Sequence, residues 1–89
     1  MALHRVRVAS PLRSYTAGAA AVSAEGQNAA ALLADLDRRF PGIRFRMIDE
    51  QDRIRPHIRL YADRQELRSL DDAVPDGAVL HLICALSGG

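Results

Sequence analysis

Polar and apolar residues alternate over His4-Arg5-Val6-Arg7-Val8-Ala9, the two-residue period of a half-buried strand, and predict a first strand over about residues 3–9. Ser10-Pro11 ends it, and Gly18 punctuates a connection to Ala19-Ala20-Ala21-Val22-Ser23-Ala24, which is read as a second strand despite alanine's poor strand propensity. Gly26 marks the break before the next element, because glycine inside a helix costs ~1 kcal/mol relative to alanine. From Asn28 the period changes. Ala29, Leu32, Leu33, Leu36 and Phe40 fall at i, i+3, i+4, i+7 spacing, while Asp35, Asp37, Arg38 and Arg39 take the other faces, so an amphipathic helix is predicted. Asn28 is a natural N-cap, Arg38 and Arg39 offset the negative end of the helix dipole, and Pro41-Gly42 stops the helix.

Residues 43–55 have no clean period and are assigned to a loop with short helical turns around Arg46-Met47-Ile48. After Pro56, His57-Ile58-Arg59-Leu60-Tyr61-Ala62 alternates strictly and predicts a strand with Ile58 and Leu60 inward and Asp63-Arg64 as its turn. Leu67 and Leu70 are spaced to anchor a short, partly helical crossing. Asp76-Gly77 then turns the chain into the apolar run Ala78-Val79-Leu80-His81-Leu82-Ile83-Cys84-Ala85-Leu86. That run reads as a central strand, covered on both sides by neighbours. The order strand, strand, helix, strand, short element, strand defines an α+β fold. It matches the β-grasp or ubiquitin-like layout, a mixed sheet with one main helix packed across it.

Eighty-nine residues set the limit at one domain, 1–89, and 48% hydrophobic residues suffice for its core, filled mainly by Leu, Ile, Val and Ala. The single cysteine excludes an internal disulfide and suits a reducing compartment; with no expected leader or membrane span, a cytoplasmic protein is expected. All twelve basic residues are Arg, and the net charge is only +1. A nucleic-acid surface needs clustered cations, preferably with aromatics to stack bases. Here Arg44, Arg46, Arg53, Arg55 and Arg59 are interrupted by Asp49, Glu50 and Asp52, which predicts a solvated, internally neutralised face and no nucleic-acid partner. The absence of Lys leaves no side-chain amine that an activated carboxyl could acylate.

The final strand leads into Leu86-Ser87-Gly88-Gly89. Two glycines after a strand make a thin tail whose carboxylate can enter an active site too narrow for a side chain. Residues 86–89 are therefore expected as a flexible C-terminal tail, with the tail itself as the functional group.

Three segments now resemble a known family. Leu82-Ile83-Cys84-Ala85-Leu86-Ser87-Gly88-Gly89, the helix exit Leu36-Asp37-Arg38-Arg39-Phe40-Pro41-Gly42 and Arg53-Ile54-Arg55-Pro56-His57-Ile58 are together similar to the ubiquitin-like sulfur-carrier proteins, which include the small subunit of molybdopterin synthase and the thiamin sulfur carrier. Pro11-Leu12-Arg13-Ser14-Tyr15-Thr16-Ala17-Gly18 looks most like the branch serving cysteine biosynthesis. Family members often have Pro at the position of Cys84 and Asn-Gly at Asp63-Arg64. The resemblance implies a carrier without catalytic residues or a bound cofactor. A ubiquitin-activating-like adenylating enzyme would use ATP to adenylate Gly89, and sulfide, or a persulfide from a sulfurtransferase, would displace AMP to leave a thiocarboxylate. A downstream sulfur-accepting synthase would consume that sulfur in making cysteine, a cofactor or a secondary metabolite. Gly88 would supply close approach, and Ser87 and Leu86 the root of the tail.

Other sites have plainer readings. Cys84 reads as a buried small hydrophobe with nothing adjacent in sequence to lower its pKa. His57 and His81 should face outward or onto the sheet's second surface, and His81, Tyr61 and Arg59 are candidates for docking a partner. His4, His57 and His81 lack metal-ligand spacing, so no metal is expected. A ubiquitin-like protein modifier and a non-catalytic β-grasp interaction module are the alternative functions.

Overall fold

The computed structural model describes residues 3–85. Strand β1 (Leu3–Val8) and strand β2 (Ala21–Glu25) form an antiparallel pair. Helix α1 (Ala29–Arg39) follows, then a short helix α2 (Ile43–Met47), the hairpin of β3 (Ile58–Ala62) and β4 (Gln65–Leu67), and strand β5 (Leu80–Cys84). Spatial order in the five-stranded sheet is β2-β1-β5-β3-β4. β5 runs parallel to β1 and antiparallel to β3, which makes the sheet mixed. This is the α+β, β-grasp arrangement that the element order predicts.

The core lies on one face of the sheet. Val6 and Val8 of β1, Leu80 and Leu82 of β5, and Ile58, Leu60 and Ala62 of β3 are buried beneath Leu32, Leu33 and Leu36 of α1. As anticipated, the α1 stripe is core, and the Asn28 side chain caps the helix by accepting the Ala31 N–H at 2.8 Å.

Four expectations need correction. The connection after β1 contains a 3-10 helix over Ser10–Thr16 whose Leu12 and Thr16 are buried, and β2 starts two residues later than predicted. Residues 43–47 form a helix, earlier in the chain and more regular than the short turns expected around Arg46-Met47-Ile48, because Ile43 and Met47, four apart, share one buried face that the surrounding arginines obscure in sequence. The segment assigned to a helical crossing at Leu67 is strand β4, paired antiparallel with β3 around the Asp63-Arg64 turn. Finally, β5 is central but is covered on one face only: Ile83 is 42% exposed and His81 half-buried. Its apolar run reflects neighbours on both edges, not a second layer.

His4 shares the core face with Val6 and is 1% exposed. Its Nδ1 lies 2.8 Å from the Ala78 carbonyl; a carbonyl can only accept, so Nδ1–H donates. The bond ties the start of β1 to the approach of β5.

Gly26 breaks the helix pattern for a reason the sequence does not show. A Cβ at that position would stand 2.4 Å from the Leu32 amide nitrogen and 2.7 Å from its Cα, so the β2–α1 connection passes directly against the backbone of α1. Asp35 then fastens the same two elements. Its carboxylate accepts the Glu25 N–H at 2.8 Å and Arg39 Nε at 2.8 Å, and it also pairs with Arg38.

Two predictions follow from this junction. Gly26→Ala must displace helix backbone and should destabilise the protein by about 1–3 kcal/mol, read as a lower urea midpoint with unchanged m-value. The Glu25 amide, then Arg38 and Arg39, hold the Asp35 carboxyl down from its ordinary 3.8 to about 2, against the opposing effect of desolvation. A folded-state value below the unfolded one means the contribution is complete above the unfolded carboxyl range and lost as pH falls through about 2. Asp35→Asn should therefore be less stable than wild type at neutral pH, with the gap closing as pH is lowered from about 4 toward 2 in denaturation curves.

Candidate functional site

β5 is fastened at both ends. At its entry Asp63, at φ +53°, donates its N–H to the Val79 carbonyl at 2.8 Å and accepts the Val79 N–H on Oδ1 at 2.9 Å. The left-handed conformation that lets one residue do both is tolerated by Asp and Asn, whose short polar side chains bond locally. At its exit the Ala85 N–H donates to the His57 carbonyl at 2.7 Å. These bonds fix where the chain leaves the sheet. Gly89, Gly88, Ser87 and Leu86, the residues expected to form the reactive tail, lie outside the described residues.

The face of the sheet opposite α1 carries the predicted docking residues. Register aligns Arg7 of β1 with His81 of β5, His81 with Tyr61 of β3, and Tyr61 with Glu66 of β4, so one row crosses four strands. One step along, Arg59 lies opposite Ile83. Thus His81, Tyr61 and Arg59 are brought together on one surface. His81 faces outward as expected; His57 precedes β3 and is exposed. Arg59 contacts Glu66 at 3.8 Å and donates to the Pro56 and Ile58 carbonyls at 2.9 and 3.1 Å.

Beside His81 the face dips into an open groove of about 400 Å³, lined by Arg7, Ala9, Arg13, His81, Ile83 and Cys84 among others. It forms where β1 ends at Val8 and turns into the 3-10 helix while β5 continues, leaving Ile83 and Cys84 without that neighbour. Arg13 is held there by donating Nε to the Val8 carbonyl at 3.0 Å. The groove therefore lies beside the end of β5. Sequence reasoning missed Arg7 and Arg13. The alternation of β1 puts Arg7 on its polar side, but only the parallel pairing with β5 puts it beside His81.

The neutralised arginine face is partly as expected. Arg44 pairs with Asp52 at 3.2 Å and Arg53 with Asp49 at 3.5 Å, whereas Arg55 lies over the exposed Phe45 ring at 4.7 Å. Cys84 is half-buried against the core; burial pushes its thiol pKa up, and Arg46 offsets this only in part. Among the described residues no group of three or more His, Cys, Asp or Glu gathers to hold a metal, and no helix is long and apolar enough to cross a membrane.

The mixed sheet, the helix across it and the centrally inserted last strand place the protein among the β-grasp, ubiquitin-like proteins. Within that class it is homologous to the sulfur carrier protein CysO. The Mycobacterium tuberculosis CysO sequence is 29% identical over 94% of this chain and 96% of its own length. The crystal structure of that protein superposes with a TM-score of 0.87 at 26% identity, covering 92% of this chain and 98% of its own. A CysO structure in the Amycolatopsis orientalis BexX/CysO complex gives 0.88 at 28% identity, covering 96% and 98%. SAMP1 from Haloferax volcanii gives 0.80 at 20% identity, covering 98% and 99%, and shares the fold alone. No family model matches the chain.

A raised thiol pKa leaves less thiolate at neutral pH. Iodoacetamide should therefore alkylate Cys84 in the folded protein several-fold more slowly than in the urea-denatured chain, a difference that intact-mass time courses would measure.

Proposed function

We propose that this protein is a sulfur carrier whose Gly89 carboxylate is activated and converted to a thiocarboxylate. The observation that carries this reading is the homology to a sulfur carrier protein along nearly the whole chain, 94% of it. It is supported by a β5 exit fastened by the Ala85 N–H on the His57 carbonyl, which fixes where the chain leaves the sheet.

A carboxylate is a poor acylating group until one oxygen belongs to a good leaving group. In the proposed cycle a Gly89 oxygen attacks the α-phosphorus of ATP on a partner adenylating enzyme, the α–β anhydride breaks and pyrophosphate leaves. Hydrosulfide then attacks the acyl carbon and AMP leaves with the bonding pair, giving the thiocarboxylate. Where a sulfurtransferase persulfide is the donor, a thiol must reduce the resulting acyl disulfide. The soft, anionic sulfur passes to an electrophile on a downstream sulfur-accepting synthase, of the cysteine-forming kind or another. The chain is thus a substrate of enzymes and not a catalyst. Its work belongs in the cytoplasm, where ATP is at hand and the single Cys84 stays reduced.

The chain's own residues contribute positioning. Asp63 and His57 set the path of β5, and glycine at 88 allows the tail to thread where a side chain would collide. A modifier role would share the activation chemistry and differ in the acceptor; the SAMP1 likeness, at 20% identity, gives it no separate support.

The test is intact-protein mass spectrometry after incubation with ATP, sulfide and an adenylating enzyme of the same organism. The expected result is a mass gain equal to one oxygen exchanged for one sulfur, located to Gly89, absent when Gly89 is deleted and reduced at least ten-fold in Gly88→Val while the melting temperature stays unchanged.

A further inference from the structure

The groove at the end of β1 holds charge that nothing in the fold uses. β1 stops pairing with β5 at Val8 and the chain turns into the 3-10 helix at Ser10, which opens about 400 Å³ between that helix and the last residues of β5. Arg7, Arg13, His81 and Ser10 all line it, and among the described residues none of the lining is acidic. Neither arginine belongs to an ion pair among those residues, whereas Arg38, Arg39, Arg44, Arg53, Arg59 and Arg68 each meet a carboxylate. The strand neighbours of Arg7 are Ala21 and His81. Arg13 is half-buried and already oriented: its Nε donates to the Val8 carbonyl at 3.0 Å, which leaves both Nη groups without an acceptor among the described residues.

Two guanidinium groups lining one groove without a carboxylate repel each other, and an anion between them relieves that repulsion. A lone carboxylate is satisfied by one bidentate fork. Two forks from different elements, with a hydroxyl and an imidazole N–H beside them, supply donors for the three free oxygens of a phosphate monoester. The groove is larger than a phosphate group, and Ile83, 42% exposed, gives it an apolar wall for the carbon end of an ester. A nucleic-acid strand would need aromatic rings to stack on, and among the described residues none lines the groove. We propose that this groove binds the phosphate of a phosphomonoester, clamped by Arg7 and Arg13 with His81 as a further donor. Two sources supply that chemistry: a free phosphomonoester, or a phosphate carried by Ser10 itself, which is exposed and lies three residues from each arginine. The assignment is independent of the carrier reading, and its test needs no adenylating enzyme.

The experiment titrates the full chain, labelled with nitrogen-15, with inorganic phosphate and with glycerol 3-phosphate at constant ionic strength, and follows the Arg13 Nε–H and the His81 and Ile83 amides by NMR. Saturable shifts are expected, with a Kd on the order of 1 mM, and acetate should bind about ten-fold more weakly or less. Arg7→Ala should weaken phosphate binding about ten-fold, and Arg7→Ala/Arg13→Ala should abolish saturation. Arg5→Ala, two residues away on β1 and outside the groove, should leave binding unchanged. Melting curves accompany the double variant because Arg13 is bonded to Val8; Arg7→Ala removes no hydrogen bond among the described residues and keeps the test decisive if the double variant unfolds. In a second arm phosphoserine is installed at Ser10 by codon suppression. Saturable binding of free phosphate or glycerol 3-phosphate that Arg7→Ala weakens would give the site to a free ligand. No free binding, with an Arg13 Nε–H shift on phosphorylation of Ser10 that Arg7→Ala removes, would give it to the phosphate of Ser10. Silence in both arms, or a response that acetate equals or Arg7→Ala leaves intact, would overturn the site and leave the carrier reading untouched.

Discussion

The structure depends on the insertion of β5 between β1 and β3. Neither hairpin reaches the other without it: β1 and β2 form one pair, β3 and β4 another, and β5 alone bridges them, parallel to the first and antiparallel to the second. Leu80 and Leu82 bring the apolar layer that both halves need, so the hydrophobic core closes in the same step as the sheet. The pairing joins residues more than seventy positions apart, as His4 and Ala78 do, and its loop-closure cost is recovered only when packing is complete.

A last strand in the middle of a sheet has a functional consequence. Its path is set at both ends from the β3 side, by Asp63 on Val79 and by His57 on Ala85, so the point where it leaves the sheet is fixed. The proposed carrier chemistry calls for such a fixed exit, since a partner would have to bind the domain firmly and still receive the terminus in its active site.

Helix α1 was legible because Leu32, Leu33 and Leu36 face one layer, Asn28 caps the helix and Pro41 ends it, all local signals. The strands at 3–8 and 58–62 were legible for the same reason, as the period of two survives wherever one face is buried and the other wet. Elements stabilised from outside were not. Five residues of α2 make too short a helix to announce themselves by period, and hold their shape through Ile43 and Met47 packed into the core. β4 is three residues long and is a strand only because β3 lies beside it.

The same division runs through the candidate site. The residues by themselves determined that the last strand would be central, that glycines would follow it and that His81, Tyr61 and Arg59 alternate with core positions. Each is a statement about one segment. Only the tertiary structure decided that Arg7 stands next to His81, that among the described residues Arg5 and Arg7 belong to no ion pair while Arg59 has Glu66, and that Gly26 is required by the backbone of α1. Those facts depend on which strands become neighbours, and that is set by long-range pairing and burial, which local periodicity does not record.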